Sequence, residues 1–271
     1  MANNGKRLKV GAVSYLNTKP LVYRLREVIP GIDLSFDVPS RLADGLSAGR
    51  FDVALVPSIE YVADPSYSIV SDACIGCRGP VMSVKLLGRR PIREIRSLAL
   101  DAGSRTSSVL ARILLEKQYG IRPRLEELPV AADVGSCSAD AILLIGDRAI
   151  HPPSGPYVEC WDLGEQWCRW AELPFVFAMW VARGETDLGG LESALGACRD
   201  AGVAHLEAIA ADEAAAVGLT VEQTTRYLRD NLHFYLGERE RCGLAMYYRL
   251  ATELGMVTTN VDYRSHDCRA T

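Results

Sequence analysis

The chain is poor in the residues on which metal and nucleotide chemistry is usually built. It has only four histidines in 271 residues (His151, His205, His233 and His266), and no two are close enough in sequence to form a metal-binding pair on one helix. Neither a P-loop, nor G-x-G-x-x-G, nor G-x-S-x-G occurs, so the common nucleotide cradle and the nucleophile elbow are excluded as motifs. No apolar stretch approaches the roughly 20 residues that a membrane-spanning helix needs. Nor is there an excess of positive charge. The formal charge is −4, with Lys and Arg scattered, which argues against nucleic acid as the main partner. The first ten residues carry basic side chains but no apolar core after them, so a secretory signal is not expected and a cytoplasmic location is.

Cysteine is the exception to this poverty, with eight present. Cys74 and Cys77 form a C-x-x-C, but the others are single and far apart, so no four-ligand zinc set is expected. They read as small apolar residues in a reducing compartment, and no metal or other cofactor is expected.

What is present is a soluble α/β composition and a series of punctuated strands. Leu8 to Val13 reads as a strand and is followed by Ser14-Tyr-Leu-Asn17-Thr18, with Pro20 placed to open a helix. Polar groups at the carboxyl end of a first strand are where open α/β sheets hold ligands. Ser14, Tyr15, Asn17 and Thr18 are therefore candidate binding residues. The alternative, a loop whose polar groups only cap a helix, is left standing by the local pattern. A second helix is expected around Leu42 and Leu46, with Ser40 as N-cap and Gly49 as stop. Phe51 to Val56 reads as a buried strand that delivers Ser58 and Glu60 to the same sheet edge as Asn17.

Gly76 to Leu87 reads as extended, with Ser83 in its middle. Leu98 to Asp101 is a strand, and Gly103-Ser104-Arg-Thr106-Ser107-Ser108 a hydroxyl-rich turn into a helix that runs to Gly120. Free N–H groups at that helix start favour an anion, although one serine suffices for a cap. Ala139 to Ile145 is a further strand, closing on Gly146-Asp147. Asp101 and Asp147 end strands and are acid–base candidates, with a structural role as the commoner alternative. Glu165 to Trp170 reads as helix and Phe175 to Val181 as strand. From Leu188 onward the pattern is helical, with a capping box at Thr220-x-x-Gln223 and a last helix near Glu238 to Leu254. Parallel sheets are expected, in two lobes around a cleft: residues 1–87 and 176–271 in one, 88–175 in the other.

Taken in order, Val13-Ser-Tyr-Leu-Asn-Thr-Lys-Pro-Leu21, Asp52-Val-Ala-Leu-Val-Pro57, Val81-Met-Ser-Val84, Leu100-Asp-Ala-Gly-Ser-Arg-Thr-Ser107, Leu144-Ile-Gly-Asp147, Asp162-Leu-Gly-Glu165 and Leu173-Pro-Phe-Val-Phe-Ala178 resemble the chorismate dehydratase family of the futalosine route to menaquinone. The resemblance covers about residues 8–255. It implies a type II periplasmic-binding-protein-like fold with ligand between two α/β lobes, and loss of water from chorismate. It also implies Asn17 and Ser83 as catalytic residues on the substrate, with Thr106 and Ser107 binding a carboxylate. Ser14, Tyr15, Ser58, Ser104, Gly146 and Asp147 complete the expected binding set. Ala171-Glu172 departs from the family's usual Thr-Gly. Two other readings are the sister enzyme that makes 1,4-dihydroxy-6-naphthoate and a binding protein without catalysis. The first expects a histidine near Ile145-Gly146-Asp147, where this chain has none.

Overall fold

The computed structural model describes residues 7–184 and 187–257; the polar tail, His266 and Cys268 lie outside the described residues. The strands are β1 (Lys9–Val13), β2 (Asp33–Asp37), β3 (Val53–Pro57), β4 (Tyr67–Cys77), β5 (Val84–Gly88), β6 (Ser97–Asp101), β7 (Arg124–Leu128), β8 (Ala141–Ile145), β9 (Glu159–Asp162), β10 (Phe175–Arg183) and β11 (His233–Tyr235). The helices are α1 (Leu25–Val28), α2 (Pro39–Ser47), α3 (Arg105–Tyr119), α4 (Asp147–Ile150), α5 (Leu163–Ala171), α6 (Leu191–Ala204), α7 (Leu206–Glu213), α8 (Val221–Arg226) and α9 (Glu238–Glu253).

Two sheets result. One has the order β11-β4-β10-β3-β1-β2 and the other β7-β6-β8-β5-β9. Parallel pairing is present in both, β1 with β2 and β3, and β6 with β7 and β8, although β2 and β7 are not among the strands expected from the sequence. Both sheets are nevertheless mixed. β10 runs antiparallel to β3 and β4, and β5 antiparallel to β8 and β9. These are the strands that enter each sheet directly from the other one, and both arrive running against their neighbours. Because β5 pairs entirely within the second sheet, the chain crosses before Val84 and not after Leu87. It returns between Asp162 and Phe175.

Several local expectations shift for physical reasons. Leu16 and Leu21 are both core residues, so the chain curls straight after β1 into a 3-10 turn, Leu16–Val22, with Pro20 inside it and not at the start of a helix. Ser40 is not the cap of α2. Pro39 occupies the first turn and Val38 precedes it, while the backbone N–H of Ser40 reaches the Gly103 carbonyl of the other lobe at 3.1 Å. The extended reading of residues 76–87 breaks at Met82, whose φ is 64°. The Asp162 carboxylate accepts hydrogen bonds from the N–H groups of both Val81 (2.9 Å) and Met82 (2.6 Å) and holds that turn, so Ser83 stands at a crossing and not within a strand. The tail is not wholly helical, because β11 adds to the edge of β4.

The start and end of α3 fall where expected. Ser104 Oγ accepts the N–H of Ser107 at 3.1 Å, and Gly120 closes the helix in the left-handed region. Its buried face carries Leu110, Ile113 and Leu114, each worth roughly 1.5–3 kcal/mol of burial. The long α9 lies over the same region. Tyr247 Oη donates to the Thr106 carbonyl at 2.9 Å and Tyr248 Oη to the Ser58 carbonyl at 2.8 Å. Around Tyr247, Trp167 and Phe175 pack edge to face.

The departure at Ala171-Glu172 has a structural meaning. Glu172 ends α5 at φ 56°, ψ 21°, a left-handed position that favours glycine, the residue that the resemblance leads one to expect there. Glu172→Gly is expected to raise stability by roughly 1 kcal/mol, read as a higher thermal midpoint at unchanged activity. A midpoint at or below that of the parent chain would contradict this.

Candidate functional site

Strand ends from both sheets meet around one pocket. Its apolar wall comes from Val13, Pro39, Pro57, Ile75, Val81, Val84, Ile145, Phe177 and Ala178. Its polar groups are Tyr15, Asn17, Ser83, Ser104 and Ser107, with Gly146 completing the floor. Lys, Arg, His, Asp and Glu are all missing from this lining.

The pocket thus unites six of the residues expected from sequence and leaves four aside. Ser14 is exposed and its backbone N–H bonds to the Asp37 carbonyl. Ser58 is fully buried, with Oγ donating to the Val176 carbonyl at 2.7 Å. Thr106 Oγ1 accepts the Ile59 N–H at 3.2 Å and lies 3.4 Å from Ser58 Oγ. Asp147 accepts the Leu16 N–H at 3.1 Å. Ser58, Thr106 and Asp147 therefore tie the lobes together behind the pocket. Thr106, expected to bind a carboxylate, lies outside the pocket lining, with its hydroxyl oxygen turned to the neighbouring lobe.

Candidate cations are also committed elsewhere. Arg105 pairs with Glu60 (3.1 Å) and Asp44 (2.5 Å), and Arg78 pairs with Glu240 (2.9 Å). Asp101 is buried and fully used, accepting from Gly103 N (2.9 Å), Ile145 N (3.3 Å) and Arg148 Nη2 (2.8 Å). Burial raises the Asp147 carboxyl above its ordinary range, partly offset by the Leu16 N–H. Burial first, then the charges of Asp101 and Asp147, pushes the Tyr15 phenol far above its usual value. Tyr15 is thus held as a neutral hydroxyl at physiological pH.

Gly146 is shaped for this ring. Its backbone sits at φ 64°, ψ −151°, and a β-carbon there would lie 2.7 Å from Tyr15 ring atoms. The thiols of Cys74 and Cys77 are buried and free. Among the described residues, no group of three or more His, Cys, Asp or Glu side chains is placed to hold a metal ion. No helix among them is long and apolar enough to cross a membrane.

Residues 8–253 match the model of a family described as menaquinone biosynthesis. The chain belongs to that family. It is 32% identical over 253 residues to a chorismate dehydratase from Thermus thermophilus, covering 87% of this chain and 92% of that protein. By structure it is similar to protein AF1704 from Archaeoglobus fulgidus, with TM-score 0.72 and 15% identity over 94% of this chain and all of that one. It is also similar to the alkanesulfonate-binding protein SsuA from Xanthomonas axonopodis pv. citri, with TM-score 0.66 and 14% identity over 99% and 100% of the two chains. At such identities these likenesses establish the fold, which is the two-lobed periplasmic-binding-protein type, and do not establish a ligand.

Proposed function

We propose that this member of the family is a chorismate dehydratase, a hydro-lyase that converts chorismate to 3-[(1-carboxyvinyl)oxy]benzoate. The observation that carries the reading is the pocket's polar lining, which is neutral throughout. Asn17, Tyr15, Ser83, Ser104 and Ser107 offer amide and hydroxyl groups, and no side chain there is poised to exchange a proton at neutral pH. The 32% identical relative of matching length supports the substrate.

The chemistry suits such a lining. Breaking the C–H bond at the ether-bearing ring carbon and the C–O bond at its neighbour releases one water and makes the ring aromatic, so the step runs downhill. The substrate's own enolpyruvyl carboxylate takes the ring proton and passes it to the departing hydroxyl, which leaves as water, so the carboxylate is regenerated. Asn17 and Ser83 hold the ring in its reactive conformer, as catalytic residues touching the substrate. The start of α3, with Ser104 and Ser107, faces a carboxylate through its N–H groups and dipole. Contacts between the lobes keep bulk water out. Neither cofactor nor metal enters this scheme. The reading places the enzyme in the cytoplasm, acting on a small molecule and on neither nucleic acid nor membrane.

Purified protein incubated with chorismate is expected to yield the enolpyruvyl benzoate, seen by ultraviolet absorbance and mass spectrometry. Absence of that product would overturn the reading. Asp101→Asn and Asp147→Asn, assayed as folded protein, are expected to retain turnover within about tenfold, because a protein base would supply roughly 10²–10⁴. Loss of turnover with chorismate binding intact would transfer the base role to the protein.

A further inference from the structure

Behind the Asn17 side of the pocket lies a polar group that sequence reading did not single out. Tyr227 opens a π-helical turn, Tyr227–Asn231, directly after α8. It is 1% exposed, and its hydroxyl makes no hydrogen bond. That hydroxyl faces the side chains of Ser83 and Asn17. Burial raises its pKa strongly, against a smaller lowering by Ser83, so it remains protonated and able to donate.

The two residues it faces are themselves weakly held. Asn17 Oδ1 receives a hydrogen bond from Thr18 Oγ1 at 3.4 Å, and Ser83 Oγ donates to the Val81 carbonyl at 3.4 Å. Both distances are longer than a normal hydroxyl hydrogen bond. An amide and two hydroxyls, all buried and all under-bonded, therefore converge on one wall. Folded proteins seldom leave a buried hydroxyl unpaired without a reason. Tyr227 also lines a separate hollow with Met82, His151 and Gln223. A π-turn is a recurrent device for aiming a side chain at a functional site.

We propose that Tyr227 is a positioning residue, whose hydroxyl becomes the common hydrogen-bond partner of Ser83 and Asn17 when substrate occupies the pocket and fixes both against the reacting ring. This rests on the dehydratase reading and adds to it a group from the helical tail, remote in sequence from every other site residue. The hydroxyl need not touch chorismate and exchanges no proton in this role.

Tyr227→Phe isolates the hydroxyl, because it keeps the ring that fills the site. Expected is a fall in kcat for chorismate of about 10–100-fold, with KM changed less than threefold. The thermal midpoint is expected to stay the same or rise, since an unpaired buried hydroxyl is removed. A merely structural hydroxyl would lower the midpoint on removal and leave kcat alone. Ser83→Ala supplies the second arm. If Tyr227 acts through Ser83 and Asn17, the double variant Ser83→Ala, Tyr227→Phe loses clearly less than the product of the two single losses. Fully additive losses, or wild-type kcat in Tyr227→Phe, would overturn the inference while leaving the dehydratase reading in place. A wild-type chain that leaves chorismate unchanged would overturn both.

Discussion

Asn17→Ala is expected to lower kcat for chorismate by about 10²–10³-fold, the scale lost when one preorganised hydrogen-bonding group is taken from a reacting centre. The argument begins with the fold. Leu16 and Leu21 pin the 3-10 turn into the core on either side of Asn17, so the backbone stays in place when the carboxamide is removed. The carboxamide itself takes only a long bond from Thr18 and otherwise borders the pocket. Truncation should therefore leave the thermal midpoint nearly unchanged, within the roughly 0.5 kcal/mol typical of substitutions that break no tight contact. KM should rise modestly, because the carboxylate site proposed at Ser104 and Ser107 is untouched. Steady-state kinetics with thermal melts and calorimetric binding of chorismate checks each part. Undiminished turnover would remove Asn17 from the catalytic machinery.

That argument uses a residue visible in the sequence, and the reason for its visibility is instructive. The segment Val13–Pro20 announces itself because an apolar strand ends abruptly in polar groups. Helix α3 is equally plain, since a serine cap and a glycine stop bracket an amphipathic run. Strands β2 and β7 were not legible, because they lie at sheet edges and expose much of their length, without the clean alternation of a half-buried strand. The antiparallel insertion of β5 and β10 left no mark either, since strand direction is set by where the chain crosses between lobes.

Within the site, the hydroxyl cluster shows the same limit. Thr106 and Ser107 are adjacent on a helix and so point about 100° apart. Ser107 borders the pocket, and Thr106 turns to the Ile59 N–H. Composition marks the cluster but cannot choose between its members. The apolar wall, with Ile145 and Phe177, is written in the same residues as the core. Tyr227 was invisible for a further reason: the residues its hydroxyl faces are about 144 and 210 positions away, joined only by tertiary folding.

Gly146→Ala is the change expected to harm both folding and function. The backbone at φ 64°, ψ −151° lies in a region essentially reserved for glycine, and forcing alanine into it costs about 1–3 kcal/mol. A second penalty follows from packing. The new methyl would stand 2.7 Å from the ring of Tyr15, which must shift, and Tyr15 is part of the pocket wall. A displacement of about 1 Å in such a wall is enough to cost turnover on the order of 100-fold. Gly120→Ala separates the two effects. Gly120 is also left-handed, at φ 67°, but a β-carbon there meets nothing within 4 Å. It should lose about 1–2 kcal/mol of stability and keep its activity. If Gly146→Ala behaved like Gly120→Ala, losing stability but not kcat/KM, Tyr15 would have no part in shaping the bound state. If instead kcat/KM falls far more than the melting shift explains, the contact between a strained glycine and one aromatic ring is what gives the pocket its form.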